Sequence, residues 1–214
     1  MWKGEGQALN LFDYNSPLMR FLDKTMKCVW TSVLFIVTCL PVFTIGASVS
    51  ALYYTSRKVL KDDLSYATKA YFHSFKTCFK QSTLFFLPVG AAAFLFWREA
   101  KMMKAFATAG QSVGNLYPLF YILMAVLVLY LMWGLMILAR FQNTLRSTAR
   151  NALVMMIRNP GTTVICGLLA VFGAIVVYLI PILIILMPSI IMWLVCYFVE
   201  KVFRKYMPSE ESLR

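Results

Sequence analysis

The stretch "CLPVFTIGASVSALYY", residues 39–54, lies inside a 29-residue run, Cys28–Ser56, that holds no charged residue. A helix that merely crosses a bilayer takes about 20 apolar residues and needs neither a proline nor a cluster of small hydroxyl side chains. Pro41 lacks a backbone donor and disfavours continuing a helix. Gly46 permits a sharp turn. Ser48 and Ser50 are suited to cap a returning helix or to pack closely against a neighbour. The stretch is therefore either the middle of a single crossing or a turn near Pro41–Gly46 from which the chain comes back.

The rest of the chain supplies the context. Of its 214 residues, 60% are hydrophobic and only 14% charged, and the mean hydropathy is +0.70. Soluble domains are closer to half apolar and a quarter charged. Three further uncharged runs follow, Gln81–Trp97, Ala105–Ala139 and Asn159–Val199, of 17, 35 and 41 residues. The last of them is apolar on all sides over residues 164–199, unlike the ten-residue alternation of a transmembrane barrel. The expected fold is all-α, one polytopic membrane domain over residues 1–214. The 41-residue run is too long for one crossing at about 1.5 Å per residue. Pro181 and Pro188 bracket "ILIILM" near its middle, so it reads as two helices joined by a short turn. "AGQSVGNLYP", residues 109–118, is rich in turn formers and reads as a loop. Lys80 and Arg98 can extend the short run by snorkelling.

Basic residues choose between the two readings of the first run. With one crossing, basic residues divide 14 inside against 7 outside; with a return they divide 18 against 3. The positive-inside rule favours the return, giving six spans with both termini cytoplasmic; five spans is the alternative. The net charge of +12 is thereby explained by topology. No nucleic-acid motif accompanies it, so no nucleic-acid partner is expected.

Two cytoplasmic segments are candidates for contact with the bilayer surface or a partner. In residues 64–81, Phe72, Phe75 and Phe79 share one helical face, while Lys69, His73, Lys76 and Lys80 share another, about a right angle away. That combination suits a short amphipathic helix in the headgroup layer. In residues 140–161, Arg146 and Arg150 share a face, and Leu145, Ala149, Leu153 and Met156 form an apolar stripe. Asn159-Pro160-Gly161 ends that element.

Several chemistries find no support. Five cysteines, none in C-x-x-C spacing, read as packing residues rather than a disulfide framework. His73 has no ligand-spaced companions for a metal, and no phosphate loop, G-x-S-x-G or H-E-x-x-H occurs. No catalytic residue, metal or cofactor is expected. The uncharged runs also lack the buried ionisable residues that ion pathways use.

"NSPLMRFLDK", "LPVFTIGASVSALYY" and "YFHSFKTCFKQSTL" occur in the order and spacing of the YesL family of small bacterial membrane proteins, which the chain resembles over roughly residues 8–90. The later "RNALVMMIRNPGTT" is similar to that family as well. Pro41, Thr44, Ile45, Gly46, Ala47 and Ser48 match its most recognisable motif. The family is often encoded beside carbohydrate ABC importers and polysaccharide-degrading enzymes. The resemblance implies an accessory subunit in the cell membrane that packs on permease helices, with permease, ATPase and solute-binding proteins as partners and no catalytic residues. The alternatives are a self-sufficient small transporter or channel, and a scaffold or regulator without transport.

Overall fold

The structure is a computed structural model that describes residues 17–61, 67–141 and 144–206. The expectations for residues 3–15, for Leu64–Tyr66 of the aromatic and basic segment, and for the charge at Arg214 lie outside the described residues. The described chain is all-α, with helices α1 (Pro17–Cys39), α2 (Ile45–Lys61), α3 (Ala67–Thr108), α4 (Tyr117–Arg140), α5 (Leu145–Arg158), α6 (Pro160–Leu179) and α7 (Met187–Tyr206). Among the described residues, three segments are long and apolar enough to cross a membrane: α3, Gly114–Arg140 and α6. This is consistent with a membrane location.

The first uncharged run does turn. α1 ends at Cys39, Leu40 and Pro41 form a bend, and one 3-10 turn covers Val42–Thr44 before α2 begins. The Thr44 hydroxyl donates to the carbonyls of Thr38 and Pro41 and ties the corner together. Gly46 does not make the turn, contrary to the sequence expectation. It is already helical, and among the described residues only Gly110 has positive φ, at 81°. Ser48 and Ser50 are not caps either. Ser48 Oγ donates to the Thr44 carbonyl at 3.0 Å, and Ser50 Oγ donates to the Leu135 carbonyl at 3.1 Å.

α3 is longer than any single run in the sequence. By sequence the aromatic and basic segment reads as a short amphipathic helix, at its simplest the lead-in to the next span, and the second uncharged run, Gln81–Trp97, as that span. They form one 42-residue helix, with Pro88 inside it, about 63 Å long at 1.5 Å per residue. No glycine or proline separates Tyr71 from Leu87, so nothing interrupts the ladder where the composition changes.

The other boundaries follow the local chemistry. Gly110 in the left-handed region ends α3, and the loop continues as a 3-10 turn over Ser112–Leu116. α4 starts with Pro118 in its first turn. Thr144 caps α5, accepting the Ser147 N–H at 3.4 Å. The last run divides at the predicted prolines: α6, a 3-10 turn over Pro181–Ile185, then α7.

The core is centred on α2, which packs against α1, α3, α4 and α7. Ala47, Ser48, Ser50, Ala51 and Thr55 are fully buried. The main apolar cluster joins Tyr53 of α2 to Trp133 and Met136 of α4, Cys166 of α6, and Cys196, Val199 and Phe203 of α7.

Candidate functional site

Small residues at the start of α2 set how closely three helices approach. A Cβ built on Gly46 would lie 2.7 Å from Phe86 Cβ and 2.8 Å from the Ser82 carbonyl oxygen, well inside van der Waals contact. One turn on, Ser50 Oγ is 3.0 Å from Ser82 Oγ and also bonds the Leu135 carbonyl. α2, α3 and α4 thus meet along a hydroxyl-lined seam in which small side chains let the backbones nearly touch. Gly134 continues the seam: any side chain there would overlap the Phe85 ring. Of the motif residues, Thr44, Gly46, Ala47 and Ser48 are buried, Ile45 is half-buried, and Pro41 is exposed at the corner. Gly46, Ala47 and Ser48 pack inside this chain and leave no small-residue face for a partner.

A second feature was not foreseen. The carboxylate of Glu200 on α7 gathers three donors on one oxygen, Oε1. Tyr53 OH donates at 3.1 Å, Arg57 Nε lies at 3.3 Å, and Arg140 Nη1 completes the set. The Arg140 guanidinium also lies over the rings of Phe141 and Phe203, with its carbon 5.5 and 5.3 Å from the centroids. Side-chain exposure is 8% for Arg140, 14% for Glu200 and 29% for Arg57, so solvent screens the Arg57 pair more than the Arg140 pair. Arg57, Arg140 and Glu200 each stand just beyond the end of an uncharged run. The sequence signal was available there: a lone acid closing the last run, facing basic residues that close two others.

The candidate contact residues separate by burial. Lys69, Phe72, His73, Lys76 and Lys80 are exposed. Phe75 is half-buried, stacked 6.4 Å from the Tyr71 ring against Ala51 and Leu52. Phe79 is half-buried, 5.5 Å from Phe75. Phe75 and Phe79 therefore serve the fold, and only Phe72, 41% exposed, is free to face outward. On α5, Arg146 and Arg150 are exposed as expected. The apolar stripe is corrected at one position: Leu145, Ala149 and Met156 pack inward, but Leu153 is 48% exposed on the arginine face.

One whole side of α3 is open, as are broad apolar faces of α4 and α6. His73, Thr77 and Lys80, then Leu84, Leu87, Ala91 and Phe94, then Arg98, are all exposed. They recur at alternating spacings of four and three, the repeat of a helix–helix seam. The stripe is basic at its start and apolar in its middle, and Ala91 leaves room for a close backbone there.

Residues 28–99 match the family described as "Protein of unknown function, DUF624". YesL-like proteins belong to that family. The matched segment is about a third of the chain. It runs from Cys28, within α1, to Glu99 of α3, and so includes α2, Gly46 and the whole open stripe. No curated protein matches the chain, and no solved structure does.

Proposed function

We propose that this chain is an accessory integral-membrane subunit of a bacterial carbohydrate ABC importer, seated against a permease helix through the open stripe of α3. The observation that carries the reading is that stripe: an exposed seven-residue repeat, Leu84, Leu87, Ala91 and Phe94, on a helix whose opposite side is packed. The match over residues 28–99 covers this element, and the family resemblance, which reaches about residue 90, supplies the importer context. The Glu200 cluster fits a structural role rather than a pathway for ions, since Oε1 already accepts from three donors within the chain.

In the same proposal six helices enter the membrane, α5 stays on the cytoplasmic surface, and both termini are cytoplasmic. The contact of Arg57, Arg140 and Glu200 supports this parity, because an even count brings the far ends of α2, α4 and α7 to one face. The 18-to-3 division of basic residues supports the same face being cytoplasmic.

The test is purification from host membranes in mild detergent. Permease, ATPase and solute-binding subunits should come with the chain, and Ala91→Leu or Leu87→Ala should release them while leaving the thermal unfolding midpoint of the chain unchanged. Copies that never capture or crosslink to importer subunits would overturn the reading. Sugar flux in liposomes containing this chain alone would favour a self-sufficient transporter instead.

A further inference from the structure

We infer that the α1–α2 hairpin is re-entrant: it enters the bilayer from the face that carries Arg57, ends near the midplane with its apolar tip among the acyl chains of one leaflet, and leaves by the same face. The inference rests on the membrane reading above but not on the importer.

The argument is one of level. α2 runs antiparallel to α3, with Leu52 packed on Tyr71, Ser50 on Ser82, and Gly46 against Ser82 and Phe86. The first turn of α2 therefore stands beside residues 82–86 of α3. α3 does not end there. It continues to Thr108, and past Phe86 its companions are α4, through Phe96 on Phe120, and the 3-10 turn before α4, through Gly114 against Ala107.

The far edge of the membrane on α3 is marked by charge and aromatic rings. Arg98 closes the apolar run, Trp97 lies 5.7 Å from Phe94, and Lys101 sits 4.1 Å over the Trp97 ring; such residues concentrate at the interface. From residues 82–86 to Arg98 is 12 to 16 residues, about 18–24 Å of helix. The 3-10 turn beyond Gly46 can reach only about 6 Å further. The tip thus stops about 12–18 Å short of the far boundary of a hydrocarbon core about 30 Å thick.

What the tip presents fits that depth. Leu40 is 77% exposed, Val42 70% and Phe43 51%, and no charged residue lies between Lys27 and Arg57. The turn's polar groups face inward: Thr44 is buried, with its hydroxyl on Thr38 and Pro41. A corner with its hydroxyl satisfied internally and its apolar side chains pointing out can sit in hydrocarbon without leaving that group unpaired.

Thiol accessibility tests this in a chain with Cys28, Cys39 and Cys78 changed to serine. Single cysteines go at Leu40, Val42 and Phe43, with Gln111→Cys and Arg146→Cys as markers of the two faces. Membrane-impermeant maleimide is applied to sealed vesicles of each orientation. Gln111→Cys should label from one side only and Arg146→Cys from the other. The three tip positions should resist from both sides, because a thiol in hydrocarbon stays protonated, yet label fully once the chain is unfolded in SDS, and a nitroxide at Phe43→Cys should give greater accessibility to oxygen than to a water-soluble nickel complex. Labelling of the tip from the Gln111 side overturns the inference in favour of a full crossing. Labelling from the Arg146 side overturns it in favour of a tip in water. If Gln111 and Arg146 label from the same side, the six-helix reading itself fails, a separate outcome.

Discussion

At the scale of single residues, two positions concentrate the energetics. Gly46 is needed for space and not for its freedom of φ, because a β-carbon would meet the Phe86 Cβ and the Ser82 carbonyl, both on a packed helix. Gly46→Ala should therefore destabilise by about 1–3 kcal/mol, the usual cost of overpacking, although alanine is the better helix former. A fall in the unfolding midpoint in detergent would show it; an unchanged midpoint would mean that α2 and α3 can move apart at no cost. At Glu200 the expectation is graded. Removing one partner of a buried ion pair costs about 3–5 kcal/mol because the other charge is left unpaired. Glu200→Gln and Arg140→Gln should approach that loss, while Arg57→Gln should cost clearly less because Arg57 is 29% exposed and screened. Equal losses at both arginines would contradict this. The glycine was legible as special from its place in an apolar run and among small residues that let backbones touch; what failed was the expectation that it also makes the turn. Sequence spacing shows that a turn is near; it cannot show which helix will lie against the next residue. The Glu200 cluster left a signal, a charge closing each of three uncharged runs, but its members are up to 147 positions apart and the spacing alone does not pair them.

At the scale of elements, the pattern of apolar runs and turn formers anticipated most boundaries. Pro181 and Pro188 bracket the break between α6 and α7, and "AGQSVGN" the one between α3 and α4, because glycine and proline act locally. The element whose full length was not read, α3, is the one in which composition changes at residue 81 without a helix breaker. Its basic residues are outward as the periodicity placed them, but the aromatic stripe divides, Phe72 outward and Phe75 and Phe79 half-buried, and that allows a sharper test. Phe75 stacks on Tyr71 in the core, so Phe75→Ala should lower stability by on the order of 2 kcal/mol, roughly half of a full core truncation. Phe72→Ala should leave the midpoint unchanged. If an importer subunit also covers the basic end of the stripe, Phe72→Ala should weaken its capture. If that end meets only headgroups, Lys76→Gln with Lys80→Gln should reduce binding to anionic bilayers by roughly 1 kcal/mol per lysine with the partner retained. Loss of stability in Phe72→Ala would show that the outward face is not outward.

At the scale of the whole molecule, the all-α fold and the helices long and apolar enough to cross a membrane were legible from composition, because four uncharged runs of 17 to 41 residues match the length such a helix needs. The number of crossings was not, because hydropathy measures length and not depth. Parity is the more robust quantity: whether α1–α2 crosses twice or turns back within one leaflet, the residues on either side of it share a face. Labelling should accordingly find residues 101–115 on one side and 144–158 on the other, with Arg57 and Lys58 on the side of 144–158. The side of 144–158 should be the cytoplasm, since holding Arg140, Arg146, Arg150 and Arg158 outside would oppose the positive-inside rule. External labelling at Arg150→Cys would invert the molecule. Labelling of Lys58→Cys and Arg150→Cys from opposite sides would break the parity. The Glu200 cluster would then have to form across the bilayer, which the Tyr53–Glu200 bond of 3.1 Å forbids; this one experiment thus bears on topology and core together.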